Sequence, residues 1–172
     1  MLDDELDRVL AAGYLDGLAD RPLPELRALR DECRSVEQKV SYLRRLVHGR
    51  IDIVVAELGR RASSGGRTDL AALVEGLNDD LADNLHAPGH SLMVPGVTPP
   101  DIDQVTDELY AELGPREVSA LPDLTDEELD ELADRLRRLN EKYSLRRRQL
   151  FERVDALGAE LARRYGSGQA IV

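Results

Sequence analysis

Apolar residues recur every three or four positions through two long stretches of this 172-residue chain. The first seam reads Leu26, Leu29, Cys33, Val36, Val40, Leu43, Val47, Ile51, Val54, Leu58. Its spacings, 3-4-3-4-3-4-4-3-4, are those of a heptad with one added four-residue step at Val47–Ile51. The second seam reads Leu129, Leu132, Leu136, Leu139, Tyr143, Arg146, Leu150, Val154, Leu157, Leu161, and its added step falls at Leu150–Val154. Two long helices with matched seams, joined by a long connection, predict an all-α fold built as a long antiparallel coiled-coil hairpin. Short additional helices are expected in the N-terminal segment and in the connection.

Punctuation along the chain sets the boundaries. Residues 1–21 form an N-terminal segment whose short acidic helix, Asp3 to about Leu18, is interrupted by Gly13 and Gly17. Residues 22–62 form the first long helix, with Pro24 suited to its first turn and Ser63-Ser64-Gly65-Gly66 after its end. Residues 63–124 are an acidic connection. They predict a short helix after Thr68, a loop containing Pro88, Pro95, Pro99 and Pro100, and a helix from Asp101 to Leu113. Thr125-Asp126-Glu127-Glu128 is a capping-box signature, opening a second long helix over 125–165 that stops near Gly166, with 166–172 a tail.

The two long helices share more than a seam. Shifted by 103 residues, Ser41–Arg61 lies over Ser144–Arg164 with ten of 21 positions identical, most of them polar: the pairs include Ser41/Ser144, Arg44/Arg147, Arg50/Arg153, Asp52/Asp155, Glu57/Glu160 and Arg61/Arg164. Any two coiled-coil helices share an apolar pattern; shared polar residues ask for a further reason. Beside the first seam runs the stripe Glu37, Ser41, Arg44, His48, Asp52, and beside the second Asn140, Ser144, Arg147, Phe151, Asp155. The 4-3-4-4 spacing keeps each stripe within about 80° of the helix circumference. An arginine fork suits phosphate or the O6/N7 edge of guanine, a carboxylate accepts from guanine's N1–H and amino group, and serine donates to phosphate. Two copies of one polar stripe suit a ligand that is itself two-fold. The same positions also suit ordinary interhelical pairs flanking a coiled-coil seam.

Composition narrows the class. There is no Trp and only one Phe, which fits helices packed by aliphatic seams rather than an aromatic core. No apolar run is long enough to span a membrane, the acidic N-terminus lacks the apolar stretch of a signal peptide, and the single Cys33 fits a reducing cytoplasm. The net charge of −11 conceals a division: residues 68–134 sum to −17, residues 1–67 to zero and residues 135–172 to +6. The acidic middle suits a basic partner and the basic C-terminal arm an anion.

The first stripe, Glu37-x3-Ser41-x2-Arg44-x3-His48-x3-Asp52, resembles the E-x3-S-x2-R-x3-Q-x3-D motif of the RsiG anti-sigma factors of actinobacteria. The surrounding LPELRALRDEC and SYLRRLVHGRIDIVVAEL are similar too, and the resemblance covers most of residues 20–165. It implies an antiparallel coiled coil that holds a pair of cyclic di-GMP molecules and, so loaded, sequesters a WhiG-like sporulation sigma factor. The ligand-binding residues it implies are Glu37, Ser41, Arg44, His48, Asp52, Asn140, Ser144, Arg147, Phe151 and Asp155. Three positions depart from the motif: His48 stands for Gln, Asn140 for Glu and Phe151 for Gln, while Ser, Arg and Asp recur in both copies.

Other chemistry is sparse. His86 and His90 flank Pro88 and Gly89 in the connection and read as surface loop rather than metal ligands. No phosphate-cradling glycine loop and no nucleophile–base set occurs, so the expectation is no enzyme, no metal and no cofactor beyond cyclic di-GMP as a regulatory ligand. Direct nucleic-acid binding is disfavoured by the acidic balance and scarce aromatics. The rival from another class is a coiled-coil adaptor that binds protein without nucleotide.

Overall fold

A computed structural model describes residues 2–63 and 106–166. The expected short helix after Thr68, the proline-rich loop, His86 and His90, and residues 101–105 of the expected Asp101–Leu113 helix lie outside the described residues. Every regular element described is helical: α1 (Leu2–Leu10), a 3-10 turn (Ala12–Leu15), α2 (Leu23–Ser63), α3 (Asp107–Leu113), α4 (Pro115–Ala120), a second 3-10 turn (Leu121–Asp123) and α5 (Asp126–Gly166). No described helix is long and apolar enough to cross a membrane.

The long helices form where the seams place them. Of the twenty seam positions, all are buried except Leu29 and Arg146, which are half-buried. The capping box closes at the start of α5: Thr125 N–H donates to Glu128 Oε2 at 2.7 Å and Glu128 N–H to Thr125 Oγ1 at 3.2 Å. The N-terminal helix is shorter than the sequence predicts. It stops at Leu10, because Ala11 turns extended (ψ 143°) and the chain then enters a 3-10 turn. Gly17, at φ 67°, adopts a backbone shape that other residues rarely tolerate, which bars helix continuation toward Leu18. Helix α4 is an element that the sequence pattern does not announce.

The described chain divides into two compact units, each taking part of both long helices. The first comprises residues 2–44 and 141–166. Here α2 and α5 run antiparallel: Arg27 bonds to Tyr165 at one end, and Arg44 to Ser144 at the other. The core is Leu26, Cys33, Val36, Val40 and Leu43 against Tyr143, Leu150, Val154, Leu157 and Leu161, with Leu2, Leu6 and Val9 of α1 added. Each such side chain contributes about 1.5–3 kcal/mol by leaving water. Helix α1 is tied by Lys39, whose Nζ donates to both oxygens of Glu5 at 2.8 Å, and the turn after it by Tyr14, whose hydroxyl donates to Glu32 at 2.7 Å. Burial, then that hydrogen bond, push the Tyr14 phenol well above its ordinary range.

The second unit comprises residues 45–63 and 106–140. Val47, Ile51, Val54 and Leu58 are its core from α2, Leu129, Leu132, Leu136 and Leu139 from α5, and Leu109, Leu113 and Leu121 from the segment before α5. It too is antiparallel, with His48 at Asn140 and Arg61 at Asp126.

Each unit repeats the other's construction at the 103-residue interval. Helices α1 and α3 end at Leu10 and Leu113, and α2 and α5 begin and end 103 residues apart. In the first unit Arg153 donates to the carbonyls of Leu10 and Ala11, and in the second Arg50 donates to that of Leu113. Arg164 holds the carbonyls of Leu18, Ala19 and Arg21; Arg61 holds those of Leu121, Pro122 and Leu124, the same positions 103 residues on. Carbonyls left over where the chain turns into a long helix are thus met by a cation from that unit's other long helix.

Candidate functional site

Seven of the ten stripe residues lie in the first unit: Glu37, Ser41, Arg44, Ser144, Arg147, Phe151 and Asp155. Four of these form a reciprocal exchange. Arg44 Nε donates to Ser144 Oγ at 2.9 Å, and Arg147 Nε donates to Ser41 Oγ at 2.9 Å. The arginine and the serine of each helix therefore swap partners with those of the other. The i, i+3 spacing from serine to arginine permits this, because it sets both on one side of the helix a turn apart.

Around that exchange the two copies differ. Arg147 Nε also reaches Glu37 Oε1 at 3.2 Å, Ser41 donates to the same carboxylate oxygen, and the guanidinium carbon of Arg147 stands 4.7 Å from the centre of the Phe151 ring. A buried carboxylate, a hydroxyl and an aromatic face thus converge on one arginine. Glu37 and Arg44 are both 7% exposed, whereas Asp155 is exposed, so the cationic part of the stripe is sheltered and its outer carboxylate faces solvent. Arg45 and Arg148, which follow the stripe arginines, are exposed in both copies.

The remaining three, His48, Asp52 and Asn140, lie in the second unit. His48 Nε2 and Asn140 Oδ1 are 2.7 Å apart; an amide oxygen only accepts, so this bond assigns the proton to Nε2. Its equivalent by the 103-residue shift would join Phe151 to Glu37, and a phenyl ring cannot donate that bond. Asn140 is buried and Asp52 exposed.

Chemically the first-unit cluster offers guanidinium groups, hydroxyls and carboxylates at set distances, groups of the kind that can pair with an anion bearing hydrogen-bond donors. Four of the shared polar pairs have another role. Arg50/Arg153 and Arg61/Arg164 hold backbone carbonyls, and Glu57 and Glu160 bind the arginines three and four residues on, including Arg60/Arg163. Those hydrogen bonds hold the carboxyls of Glu57 and Glu160 at about 2. What separates them from the stripe is the carbonyl set, which repeats at the same interval as its arginines.

Compared with known proteins, the chain matches the RsiG-like family model over residues 12–81 and 115–172, most of its length. No curated protein matches it significantly. Its two long helices packed with shorter ones accord with the anti-sigma role that family points to, with a sigma factor as the kind of partner. This chain belongs to the RsiG-like family.

Proposed function

We propose that this protein is a cyclic di-GMP-dependent anti-sigma factor that sequesters a WhiG-like sigma factor of the sporulation or motility type. The observation that carries the reading is the reciprocal exchange of Arg44 with Ser144 and Arg147 with Ser41. It gathers two arginines and two hydroxyls from both helices into one unit, a donor set suited to phosphates. Bound phosphate competes with Glu37 for Arg147, and the exposed carboxylates Asp52 and Asp155 accept from guanine N1–H and the exocyclic amine, donors that adenine does not present together. Two ligand molecules suit the two copies. The role is regulatory binding in the cytoplasm, without catalysis, and the acidic side chains of α1 and α3 suit basic surfaces of the sigma factor.

A second reading rests on the same bonds. Both serines and the buried carboxylate already have partners without nucleotide, as in a coiled-coil adaptor that binds protein alone. Isothermal titration with cyclic di-GMP, with cyclic di-AMP and GTP as controls, separates the two. Selective binding near two molecules per chain, with capture of the sigma factor that strengthens on loading, is the expected result. At a hundredfold excess over Kd the ligand should stabilise the fold by about 2.7 kcal/mol, visible as a raised Tm. A Tm indifferent to every nucleotide, with sigma capture intact, gives the protein to the adaptor reading.

A further inference from the structure

The stripe of the first helix does not end at Glu37. Arg34 and Arg30 precede it at the same 3-4 rhythm, and at 100° per residue they fall in the same 80° sector as Glu37, Ser41, Arg44, His48 and Asp52. Both belong to the first unit. In both, Nε is buried and has no hydrogen-bond partner. Arg30 still reaches Asp31 through Nη2 at 3.5 Å, while Arg34 pairs with no carboxylate among the described residues. A shielded guanidinium N–H without an acceptor weakens the folded state, so two of them four residues apart in one stripe need an explanation.

The other copy sharpens the point. By the 103-residue shift Arg34 corresponds to Arg137, which has its acceptor: Nη1 donates to Asp134 Oδ1 at 2.7 Å. Arg30 corresponds to Ala133, and Asp31, the counterpart of Asp134, pairs with Arg30 instead. The extra cation of the first copy has thus taken the carboxylate that would serve Arg34. Charge counting adds a reason. Two cyclic dinucleotides bring two phosphates each, while the stripes alone supply Arg44 and Arg147, both of whose Nε edges are engaged.

We propose that Arg34, with Arg30 one turn before it, extends the anion site of the first unit and takes a phosphate of the cyclic dinucleotide through its Nε edge. This rests on the nucleotide reading above. It makes the site unequal: the extension exists beside the first copy of the stripe and is absent beside the second, where Ala133 and the paired Arg137 stand.

The test pairs two readouts on the full chain: titration with cyclic di-GMP, and the Tm of the unliganded protein, for wild type, Arg34→Met and Arg34→Lys. Arg34→Met should melt at or above the wild-type temperature, because it removes a shielded donor, yet bind about ten- to a hundredfold more weakly. Arg34→Lys should recover part of that loss through charge alone. Wild-type affinity in Arg34→Met, with the wild type binding normally, overturns this assignment and leaves the functional reading standing. A wild type that does not bind cyclic di-GMP overturns both. Should Arg34→Met lose its helical signal, Arg34→Gln replaces it with the same two outcomes.

Discussion

Arg61 and Arg164 do the same work with the same atoms, whereas Arg44 and Arg147 share a serine contact in surroundings that differ. Each of the first pair spreads its Nη donors over three carbonyls, at positions 103 residues apart, and gives its Nε to the glutamate four residues before. Each of the second pair meets a serine at 2.9 Å, and Arg147 also bonds to Glu37 and stacks on Phe151. The difference follows from what each arginine serves. Carbonyls at a turn into a helix need a donor whatever the protein binds, so the backbone demands one answer twice. A stripe of side chains that pair with one another carries no such repeated backbone demand, and it differs at its margins, as Glu37/Asn140 and His48/Phe151 show.

The comparison breaks first at the clamps. Arg164→Met should lower stability by about 3 kcal/mol in urea or thermal unfolding, and Arg61→Met should lower it too, because several carbonyls lose their donors together. A loss under about 1 kcal/mol in Arg164→Met, or an unchanged Tm in Arg61→Met, would show that water replaces the cation readily there. The stripe arginines should respond in the opposite currency. Arg44→Ala combined with Arg147→Ala should weaken cyclic di-GMP binding about a hundredfold or more, while the helices persist by circular dichroism. Binding that survives the double change would detach the exchange from any ligand.

Acid offers a milder probe of the ends. Glu57 is held at about 2 by Arg60 and Arg61, and Glu160 at about 2 by Arg163 and Arg164, against an ordinary value of 4.5. With the folded value depressed, their contribution is fully present above pH 4.5 and disappears as pH falls from there toward 2. Glu57→Gln with Glu160→Gln should flatten the fall of Tm across that window, and an unchanged slope would assign the acid sensitivity to other carboxylates. The smallest expected effect sharpens the asymmetry. Phe151→Gln removes the ring beside Arg147, worth about 0.5–1 kcal/mol at an exposed site, and should change ligand affinity by no more than several-fold.

Much of this fold is legible in the chain. The 3-4 spacing gives both long helices, and the Thr125–Glu128 box fixes where α5 begins to within a residue. What escapes the pattern is short or long-reaching. The stop of α1 at Leu10 depends on the backbone of Ala11, and α4 has no apolar period long enough to declare itself. The stripe's positions follow from spacing, but its bonds do not, since an arginine's long side chain selects its acceptor in three dimensions. Thus Arg50 and Arg61 stand among the shared polar positions with nothing in the spacing to show that they end on backbone carbonyls. The shift itself holds the missing clue, for it also aligns Leu10 with Leu113 and Leu18 with Leu121, well outside the 21 residues that first reveal it.

Cys33 sits wholly buried in the seam of the first unit, and burial raises its thiol above the usual range. Because only the thiolate reacts, and only where reagent can reach it, this sole sulfhydryl stays silent toward alkylating agents while the helices remain closed. Its labelling rate then becomes a clock for the opening of that stretch, kept at one atom without any engineered probe. A bound effector that clasps the first unit would slow that clock, and the slowing would report how far binding in the stripe is felt at the seam.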